Sequence, residues 1–476
     1  MADFSSFLRG TSRQAAIVVP GELRWSYGEF QSRAEAIADQ LKTSGIGPGV
    51  PVMIAAASPP DYVLCALGTL LAGGVAVLVD PSTPDEALGA LARRTRAVVV
   101  LRGLDANGAL RSEPGPGGAP LDARAALVIF TSGSSGPPKA VLLSGDGVLA
   151  NVDAILAYLP VAEAPRTAVA LPLFYSYALV GQVFATLKAQ GTVVLIPPTP
   201  YASEQLGALK HGGAQGFSSV ALSLRRLCEA ALEVPVRERP DLHYLASAGG
   251  PLDAETRALM KKAFPRARLF NQYGLTEASP RVSAVSSAEQ AFDAGSCGRA
   301  IPGISISIEG DDGVALPAGA EGNVIVRGAS VMLGYLDEPE ATARVLRPDG
   351  SLFTNDRGHL DAEGFLFVSG RSDGVVKVAG VRVSLEEVSA HLRAACASDA
   401  CVVGVEDARF GTRLVAFIEG DEGRLTVAKM ALPQLPVAAR PAKLVALAVF
   451  PRTPNGKLQL EPLRDQASAL FHAAGA

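Results

Sequence analysis

Residues 126–140 read ALVIFTSGSSGPPKA and join a short apolar run to a loop of small polar residues. The run ALVIF has the length and the β-branched content of a buried strand. The loop after it contains four hydroxyl residues, two glycines, two prolines and Lys139. The residues that follow, AVLLS, have the composition of a second strand, so the loop is predicted to connect two strands.

The loop does not match the Walker A pattern GxxxxGK[ST]. Pro138 stands where the second glycine should be, and Ala140 stands where a hydroxyl for Mg²⁺ should be. Glycines at 133 and 136 still allow backbone amides to approach an anion, and Lys139 adds positive charge. Composition alone therefore leaves two interpretations open, a phosphate-binding loop or a flexible connection.

Around this stretch, short β-branched runs alternate with helical patterns, which predicts an α/β fold with a doubly wound body. Further strands are predicted at 97–101, 192–196 and 242–246. A helix is predicted after Ser144 or Asp146, either of which can cap it. The polar clusters TSGSSG, SAGG and QYGLTE each follow a predicted strand, so we expect them to face one crevice at the strand ends.

Residues 62–79, YVLCALGTLLAGGVAVLV, are uncharged and nearly long enough to cross a bilayer. Gly73 and Gly74 interrupt the run, and Asp80-Pro81-Ser82 ends it with turn residues. A buried helix, a glycine turn and a buried strand are predicted here, and a membrane span is not. Residues 112–120, SEPGPGGAP, are interpreted as a surface linker.

The composition restricts the class of partner. The chain has 476 residues with 43 Lys and Arg against 47 Asp and Glu, a net charge of −4. This balance argues against non-specific binding to nucleic acid or to anionic membranes. The five cysteines lack CxxC spacing, which predicts reduced thiols in a cytoplasmic protein, without a zinc site. The N-terminus lacks the apolar region of a secretory signal.

The character of the sequence changes near residue 370, where glycines and charges alternate. Ser384 and Glu387 form a capping-box pattern at the start of a predicted helix. CVVGVED and RLVAFIEG then predict a pair of strands. We therefore predict a large N-terminal domain at 1–372 and a small, mobile α+β C-terminal domain at 373–476, with a hinge at Asp373.

Four elements resemble those of the adenylate-forming superfamily, which contains acyl- and aryl-CoA synthetases, adenylation domains of peptide synthetases, and luciferases. They are TSGSSGPPK at 131–139, NQYGLTE at 271–277, LFTNDRGHLDAEGFLFVSGR at 352–371 and PRTPNGKLQ at 451–459. They occur in the family's order, and the resemblance covers nearly the whole chain. It implies two half-reactions. A carboxylate and ATP form acyl-AMP and pyrophosphate, and a thiol then displaces AMP. ATP, Mg²⁺ and CoA are the implied cofactors.

The resemblance also implies roles for individual residues. The nucleotide-binding set is Thr131, Ser132, Gly133, Ser134, Ser135, Gly136, Lys139, Tyr273, Gly274, Thr276, Asp356 and Arg371. The catalytic set is Lys457, Thr276, Glu277 and Lys377. Tyr273 is expected to stack on adenine, Asp356 to accept the ribose hydroxyls and Glu277 to hold Mg²⁺. Taken singly, Tyr273 is more typical of a core residue, and the alternative for Lys457 is an exposed turn lysine.

In the family, the small domain rotates after adenylation, which here implies that Lys457 leaves the site and Lys377 approaches it. The chain departs from the family pattern at three places. Gly145 replaces a common histidine, Pro137 a common lysine, and Ala379 a frequent basic or small polar residue. These departures affect the expected contacts with the nucleotide and with pantetheine.

The stretch LPLFYSYAL at 171–179 aligns with the family segment that lines the acyl pocket. Ser176 stands where members that activate amino acids usually have an aspartate. A buried α-ammonium would lack its counter-charge there, which disfavours an ordinary amino acid. An aryl acid such as a benzoate or an anthranilate is expected, with a short or medium acyl chain as the alternative. The predicted acyl pocket consists of Phe174, Tyr175, Ser176, Tyr177, Ala248, Gly249 and Gly250. These aromatic residues are equally consistent with an ordinary core.

Three functions remain open from the sequence. The first is a stand-alone acid:CoA ligase, and the second is an adenylating enzyme that loads a carrier protein. The third, an interaction protein with an inactive site, is disfavoured because Lys457, Glu277, Asp356 and Arg371 are all present. The expected partners are a small carboxylic acid and CoA or a carrier protein, with no nucleic acid and no membrane span, in a monomer or a homodimer.

Overall fold

The alternation of β-branched runs and helical patterns is realised in a computed structural model, which describes residues 2–131, 138–197, 199, 201–371, 374–378, 381–407, 411–453 and 456–472. At 371, 375, 377, 381, 382, 407, 411 and 472 only the backbone is described. The chain forms two compact units. The first comprises Met1–Ser132, Pro137–Ile306 and Val326–Leu352, and the second comprises Gly133–Gly136, Ser307–Ile325 and Phe353–Ala476. The predicted boundary between 372 and 373 lies inside the second unit and stays a prediction.

The strands follow one another along the chain with short connections. They are β1 (Ala15–Val19), β2 (Leu23–Ser26), β3 (Pro51–Ile54), β4 (Val75–Leu78), β5 (Val99–Leu104), β6 (Leu110–Pro114), β7 (Ala125–Thr131), β8 (Lys139–Ser144), β9 (Arg166–Val169), β10 (Thr192–Leu195), β11 (Gly216–Ser219), β12 (Tyr244–Ser247), β13 (Arg268–Gly274), β14 (Arg281–Ser286), β15 (Arg299–Ala300), β16 (Ile304–Glu309), β17 (Gly322–Gly328), β18 (Gly334–Tyr335), β19 (Leu352–Leu360), β20 (Leu366–Arg371), β21 (Val375–Val378), β22 (Val381–Ser384), β23 (Ala400–Asp407), β24 (Gly411–Glu419) and β25 (Lys443–Leu447).

The helices alternate with these strands through most of the first unit and recur in the second. They are α1 (Tyr27–Thr43), α2 (Pro59–Leu71), α3 (Asp85–Thr95), α4 (Gly145–Leu156), α5 (Ser176–Ala178), α6 (Ala185–Lys188), α7 (Ala202–His211), α8 (Ala221–Leu232), α9 (Ala254–Ala263), α10 (Gln290–Asp293), α11 (Pro339–Val345), α12 (Leu385–Cys396), α13 (Glu422–Ala431) and α14 (Leu460–His472). A π-helical segment, Leu179–Phe184, connects α5 to α6.

Two large sheets form the first unit. Within the described residues, one has the order β15-β14-β13-β12-β11-β9-β10-β1-β2, and the other has the order β18-β8-β7-β4-β3-β5-β6. Their central strands are parallel and their outer strands are antiparallel. Parallel strands of this kind are buried on both faces, which explains the continuous apolar runs in the sequence. The predicted α/β class is confirmed.

The stretch 126–144 folds as a hairpin at one side of the second sheet. Strands β7 and β8 are antiparallel, and Thr131 stands opposite Lys139. The polar loop therefore joins strand to strand, as predicted, although residues 132–137 lie outside the described residues. Strand β8 leads directly into α4, whose cap is Ser144, because its hydroxyl accepts a hydrogen bond from the Gly147 amide at 3.1 Å.

The apolar segment 62–79 forms helix α2, a glycine turn and strand β4, as predicted. Gly73 adopts a φ of 82° in this turn, where glycine has no steric cost. No helix in the described part of the chain has the length and apolarity needed to cross a bilayer. The linker predicted at 112–120 is partly wrong, because Ser112 and Glu113 belong to β6, which pairs with β5. An edge strand of polar residues resembles a loop in sequence.

The second unit contains the predicted helix after Ser384 and the predicted pair of strands. Strands β23, β24 and β25 form a sheet, and Leu392 of α12 packs fully buried against Ala416 and Ile418 of β24. The Ser384 hydroxyl accepts a hydrogen bond from the Glu387 amide at 3.2 Å, which caps α12. Strands β16, β17, β19 and β20 form a further sheet in that order.

We predict that Ser384→Ala weakens the start of α12, because the Glu387 amide loses its acceptor. The loss of an N-cap costs about 1 kcal/mol, which corresponds to roughly fivefold faster hydrogen exchange of the first amides of α12. Exchange followed by mass spectrometry measures this change. Ser384→Thr keeps the hydroxyl and should retain the protection. Unchanged protection in the alanine variant would contradict the role of Ser384.

Candidate active site

Two of the predicted site loops leave the nine-stranded sheet at the same edge. Strands β12 and β13 are parallel neighbours, with Ser247 opposite Asn271. The segment Ala248-Gly249-Gly250 follows β12, and the segment 275–277 follows β13. Gly250 is exposed, and among the described residues no atom beyond its chain neighbours lies within 4 Å of the position a Cβ would take. The structure thus brings the predicted glycine segment to the same sheet edge as Thr276 and Glu277.

The hydroxyl of Thr276 meets a residue of the predicted acyl pocket. Its Oγ1 lies 3.0 Å from the Oγ of Ser176, which is the first residue of α5. Ser176 is only 4% exposed, whereas Thr276 is half-buried. A buried hydroxyl pair can reorient its protons and donate to an acceptor placed beside it. The predicted catalytic threonine and the residue that replaces the aspartate of amino-acid-activating members are therefore direct neighbours.

Tyr335 connects Glu277 to the hairpin of β7 and β8. Its hydroxyl donates a hydrogen bond to Oε1 of Glu277 at 2.9 Å, and its ring centroid lies 4.8 Å from Nζ of Lys139. The backbone supports this arrangement. Met332 donates to the carbonyl of Glu277 at 2.8 Å, and β18 pairs with β8. The hairpin and the loop after β13 therefore contact the same tyrosine within the first unit.

Tyr335 was not predicted from the sequence. Its signal is an aromatic residue beside a glycine in the run MLGYLD, and this pattern does not distinguish a site residue from a core residue. Gly334 adopts a φ of 142°, which requires glycine and positions the tyrosine. Glu277 lies 58 residues before Tyr335 in the chain, and Lys139 lies much earlier still. Only the folded chain therefore reveals these two contacts.

Gly274 has a packing role. A Cβ at this position would lie 2.1 Å from the carbonyl oxygen of Pro280, far inside van der Waals contact. The same carbonyl accepts a hydrogen bond from the Leu275 amide at 2.8 Å. The chain therefore closes a tight loop between β13 and β14, and this loop carries Thr276 and Glu277. The predicted contact between Gly274 and the nucleotide remains a prediction.

Tyr177 of the predicted acyl pocket lies beneath a buried guanidinium. The Arg281 Cζ atom lies 4.8 Å from the centroid of the Tyr177 ring, and Arg281 is 2% exposed. The Tyr177 hydroxyl donates weakly, at 3.4 Å, to the carbonyls of Ser219 and Ala246. Burial raises the pKa of Tyr177, so its phenol is neutral near pH 7. Arg281 was also missed, although a charged residue in the strand RVSAVS was a visible signal.

The remaining aromatic residues of the predicted pocket form a half-buried pair. The rings of Phe174 and Tyr175 have centroids 4.5 Å apart and are tilted by 46°. Burial, together with the charge of Asp80, raises the pKa of Tyr175. Such a tilted pair presents apolar faces to a neighbouring flat group.

In the second unit, two predicted nucleotide-binding residues stand opposite each other. Strands β19 and β20 are antiparallel, and Asp356 is the register partner of Arg371. The Asp356 amide donates to the Thr354 hydroxyl at 3.0 Å, and the preceding Asn355 has a φ of 60°. The side chain of Arg371 lies outside the described part of the structure. The sequence elements at 352–360 and 366–371 are thus joined as one hairpin.

Lys457 projects from a tight turn, as the sequence predicted. The Thr453 amide donates to the Lys457 carbonyl at 2.8 Å, and the Lys457 amide donates to the Thr453 hydroxyl at 3.1 Å. Arg452 anchors the turn through ion pairs with Asp399 and with Glu419. Lys457 itself is exposed. The turn therefore fixes the backbone while it leaves the lysine side chain at the surface of the second unit.

Several predicted residues cannot be compared with the structure. Ser132, Gly133, Ser134, Ser135, Gly136 and Asp373 lie outside the described residues, as do the departures at Pro137 and Ala379 and the side chain of Lys377. Their assigned roles stay predictions.

Most of the cysteines lie in the core of the protein. Cys65, Cys228, Cys297, Cys396 and Cys401 are all free thiols. Burial raises the pKa of Cys65, Cys228 and Cys401 to about 12, which keeps these thiols protonated. Within the described ranges, no group of three or more His, Cys, Asp or Glu side chains is arranged to hold a metal ion.

The parallel strands, the loops at their carboxyl ends and the hairpin of β7 and β8 define an α/β protein with polar loops at its strand ends. Residues 5–336 match the family described as AMP-binding enzyme, and the chain belongs to this family. The resemblance to adenylate-forming enzymes is thereby confirmed.

Two relatives illustrate the range of the family. The chain is 32% identical over 354 residues to an indoleacetate–CoA ligase of Aromatoleum aromaticum, covering 71% of this chain and 66% of that protein. It is 27% identical over 481 residues to a D-alanine–D-alanyl carrier protein ligase of Lactiplantibacillus plantarum, covering 92% of this chain and 93% of that protein. The chain is therefore similar both to a CoA ligase and to a carrier-protein ligase.

Solved structures agree in fold. ATP-bound MatB from Rhodopseudomonas palustris superposes with a TM-score of 0.86 at 23% identity, covering 98% of this chain and 99% of that one. The anthranilate CoA ligase AuaEII, in complex with anthranoyl-AMP, gives 0.84 at 20% identity, covering 99% and 98%. These likenesses extend over both units and confirm a large N-terminal body with a smaller C-terminal part.

We predict that Gly274→Ala destabilises the first unit, because the added methyl group meets the Pro280 carbonyl. Overpacking of this kind costs about 1–3 kcal/mol, which lowers the midpoint of thermal unfolding by several degrees. The matched control is Gly207→Ala in α7, where a Cβ has no neighbour within 4 Å. An equal midpoint for the two variants would contradict the role assigned to Gly274.

Proposed function

We propose that the protein is an ATP-dependent acid–thiol ligase that forms an acyl-AMP and then an acyl thioester. The observation that carries the proposal is the contact of Tyr335 with both Glu277 and Lys139. It joins a cation from the glycine-rich hairpin to a carboxylate from the loop after β13. This pairing suits a bound metal triphosphate, which needs positive charge on its phosphates and a carboxylate for its metal.

The first half-reaction transfers an adenylyl group. An oxygen of the substrate carboxylate attacks the α-phosphorus of ATP, the bond from that phosphorus to the bridging oxygen breaks, and pyrophosphate leaves. Negative charge grows on the phosphorus oxygens in the transition state. Lys139 and the amides of the loop at 131–139 are assigned to the β- and γ-phosphates. The Thr276 hydroxyl, oriented by Ser176, is assigned to the α-phosphate.

Mg²⁺ suits the residues of this cluster. The ion usually keeps several waters and takes one or two protein carboxylates together with substrate phosphates. Glu277 is the carboxylate of the cluster, and the Tyr335 hydroxyl fixes one of its oxygens. When bound, the ion would neutralise phosphate charge, and Glu277 is the residue assigned to hold it.

The second unit is assigned the ribose and the reacting carboxylate. Asp356 is assigned to the ribose hydroxyls, with Arg371 across the hairpin from it. Lys457 is assigned to the substrate carboxylate and the α-phosphate, and the hydrogen-bonded turn from Thr453 to Lys457 supports a presented ammonium. In the second half-reaction a thiol sulfur attacks the acyl carbon, AMP leaves, and the thiol proton is lost. Lys377 and the hinge at Asp373 are assigned to this step.

The acid is proposed to be an aryl acid without an α-amino group. Ser176 supplies a hydroxyl where an α-ammonium would need a carboxylate, and it is already paired with Thr276. The half-buried rings of Phe174 and Tyr175 offer flat apolar faces. The relative that acts on indoleacetate supports an aromatic acid, and a short or medium acyl chain is the alternative.

CoA is proposed as the thiol. The curated relatives include several CoA ligases that align over most of this chain. A carrier-protein thiol is the second candidate, because the carrier-protein ligase of Lactiplantibacillus plantarum aligns over 92% of the chain. Product analysis after single turnover with CoA or with a phosphopantetheinylated carrier protein separates the two.

Acid-dependent exchange of labelled pyrophosphate into ATP tests the proposed function. We expect exchange that requires both Mg²⁺ and a carboxylic acid in a panel of aryl and aliphatic acids. The absence of exchange with every acid would contradict the proposal and favour an interaction protein.

We predict that Lys457→Ala lowers the adenylation rate by roughly 100-fold or more, about 3 kcal/mol, because the transition-state charge loses its cation. The measurement is the rate of acyl-AMP formation. Lys429→Ala is the matched control, since Lys429 is also exposed and belongs to the same unit. Acyl-AMP formation near the wild-type rate in the Lys457 variant would refute its role.

We predict that Tyr335→Phe lowers kcat/KM for MgATP by about 10- to 100-fold, since a hydrogen bond to a charged group contributes about 1.5–3 kcal/mol. The ring that faces Lys139 is retained in this variant, so the effect reports on the hydroxyl that donates to Glu277. Pyrophosphate exchange at varied MgATP measures it.

The control for that variant is Tyr27→Phe. Tyr27 is a buried tyrosine whose hydroxyl donates to the Gly191 carbonyl at 2.8 Å, far along the chain from the site loops. This variant should lose stability but keep the wild-type dependence on MgATP. If Tyr335→Phe also lowered stability but left kcat/KM for MgATP unchanged, the assigned role of the tyrosine would be wrong.

A further inference from the structure

Arg281 is a buried cation whose charge the described residues do not balance. It is the first residue of β14, five positions after Thr276, and it is 2% exposed. Its Nε atom is buried without a hydrogen-bond partner. Among the residues that the structure describes, the guanidinium makes no ion pair with a carboxylate and no hydrogen bond to a backbone carbonyl. Burial of an unpaired charge costs several kcal/mol in general.

Other buried or half-buried arginines of the same unit have clear structural partners. Arg257 is 8% exposed, and its guanidinium donates to the carbonyls of Leu252 and Asp293. The guanidinium of Arg239 donates to the Ala263 carbonyl at 2.8 Å. These side chains fix loops and helix ends. Arg281 differs from them because the partners of its guanidinium are the neutral tyrosines Tyr158 and Tyr177, which leave its Nε atom without an acceptor and its charge without a counter-ion among the described residues.

The polar side chains around Arg281 are neutral. Its guanidinium hydrogen-bonds to the phenol groups of Tyr158 and Tyr177 and acts on them with its charge, while burial raises the pKa of both phenols. Tyr158 accepts a hydrogen bond from Nε2 of Gln272 at 2.7 Å, while Oε1 of Gln272 is buried without a partner. The group contains donors and a cation, and no anion is among its members.

Gly181 keeps space beside the guanidinium. A Cβ at this position would lie 3.6 Å from Nη2 of Arg281 and 3.4 Å from Cδ2 of Tyr177. Any larger side chain would occupy the face of the guanidinium that Gly181 leaves open. The same segment begins at Ser176, which contacts Thr276. The guanidinium is therefore connected to the reacting end of the predicted acyl pocket through 176–181 on one side and through 276–281 on the other.

We propose that the acid activated by this protein carries a second carboxylate, which Arg281 binds at the far end of the acyl pocket from the reacting carboxylate. The proposal rests on the proposed function and narrows its substrate class to dicarboxylic acids, aryl or short aliphatic. A guanidinium binds a carboxylate through two parallel hydrogen bonds. The Nε atom and one Nη atom of Arg281 supply the donors. The same cation repels an α-ammonium, in agreement with Ser176 in place of an aspartate.

The first test compares matched acids with the wild-type enzyme. Each dicarboxylic acid is paired with its half-amide, which has the same shape but lacks the second charge: phthalate, isophthalate, terephthalate, succinate and glutarate with their half-amides. Pyrophosphate exchange gives kcat/KM for each member. We expect at least one diacid to exceed its half-amide by about 100-fold or more. The proposal is overturned if no diacid has a higher kcat/KM than its half-amide while acids with a single carboxylate are activated.

The second test uses Arg281→Met, which keeps the length of the side chain and removes the charge. We expect the preference for the diacid over its half-amide to fall at least 30-fold, because KM for the diacid rises. Exchange with the half-amide should be retained or improved. Arg257→Met is the matched control, because Arg257 is a buried arginine with structural partners. It should lower stability and leave the preference unchanged. An equal loss for both acids in Arg281→Met would assign the residue a structural role and contradict the proposal.

The two failures are distinguishable. Absence of exchange with every acid overturns the proposed function. Exchange only with acids that lack a second carboxylate overturns the assignment of Arg281 but not the proposed function. If Arg281→Met does not fold, the wild-type ratio of diacid to half-amide decides the question by itself.

Discussion

The close approach of Gly274 to the Pro280 carbonyl is the constraint on which the site depends. It closes the loop between β13 and β14 so tightly that no side chain fits at residue 274. This loop carries Thr276 and Glu277, and Arg281 follows it directly. The position of these groups is therefore set by backbone packing between neighbouring strands. Site residues held by such a scaffold keep their geometry better than residues on a free loop.

Tyr335 extends this constraint from one sheet to the other. Strand β18 adds it to the edge of the seven-stranded sheet beside β8, and its hydroxyl reaches Glu277 at the end of β13. The ring meanwhile faces Lys139, at the start of β8. Elements that are distant in sequence thus meet at one tyrosine. A cation, a carboxylate and two hydroxyls in this arrangement suit the transfer of a phosphorus group, which depends mainly on positioning and charge.

The proposed acid specificity rests on Ser176 and Arg281. Ser176 removes the counter-charge that an α-ammonium needs, and Arg281 introduces a buried positive charge beside Tyr177. Both features act in the same direction, because each disfavours a cationic substrate and Arg281 favours an anionic one. Specificity of this kind combines attraction for one acid with repulsion of another.

The local features of the fold were predictable from the sequence. The hairpin of β7 and β8, the helix–turn–strand at 59–78 and the cap at Ser384 each depend on neighbouring residues, so composition and spacing indicate them. Strand β6 was not predictable, because its pairing with β5 stabilises a polar segment that resembles a linker. Tyr335 and Arg281 were missed for the same reason: their importance comes from partners far away in the chain.

Transfer of ¹⁸O tests whether the substrate carboxylate attacks the α-phosphorus of ATP. The enzyme is incubated with ATP, CoA and an acid labelled with ¹⁸O in its carboxylate, and the products are examined by mass spectrometry. Attack at the α-phosphorus places one ¹⁸O atom in AMP and none in pyrophosphate. Label in pyrophosphate or inorganic phosphate, or AMP without label, would contradict it.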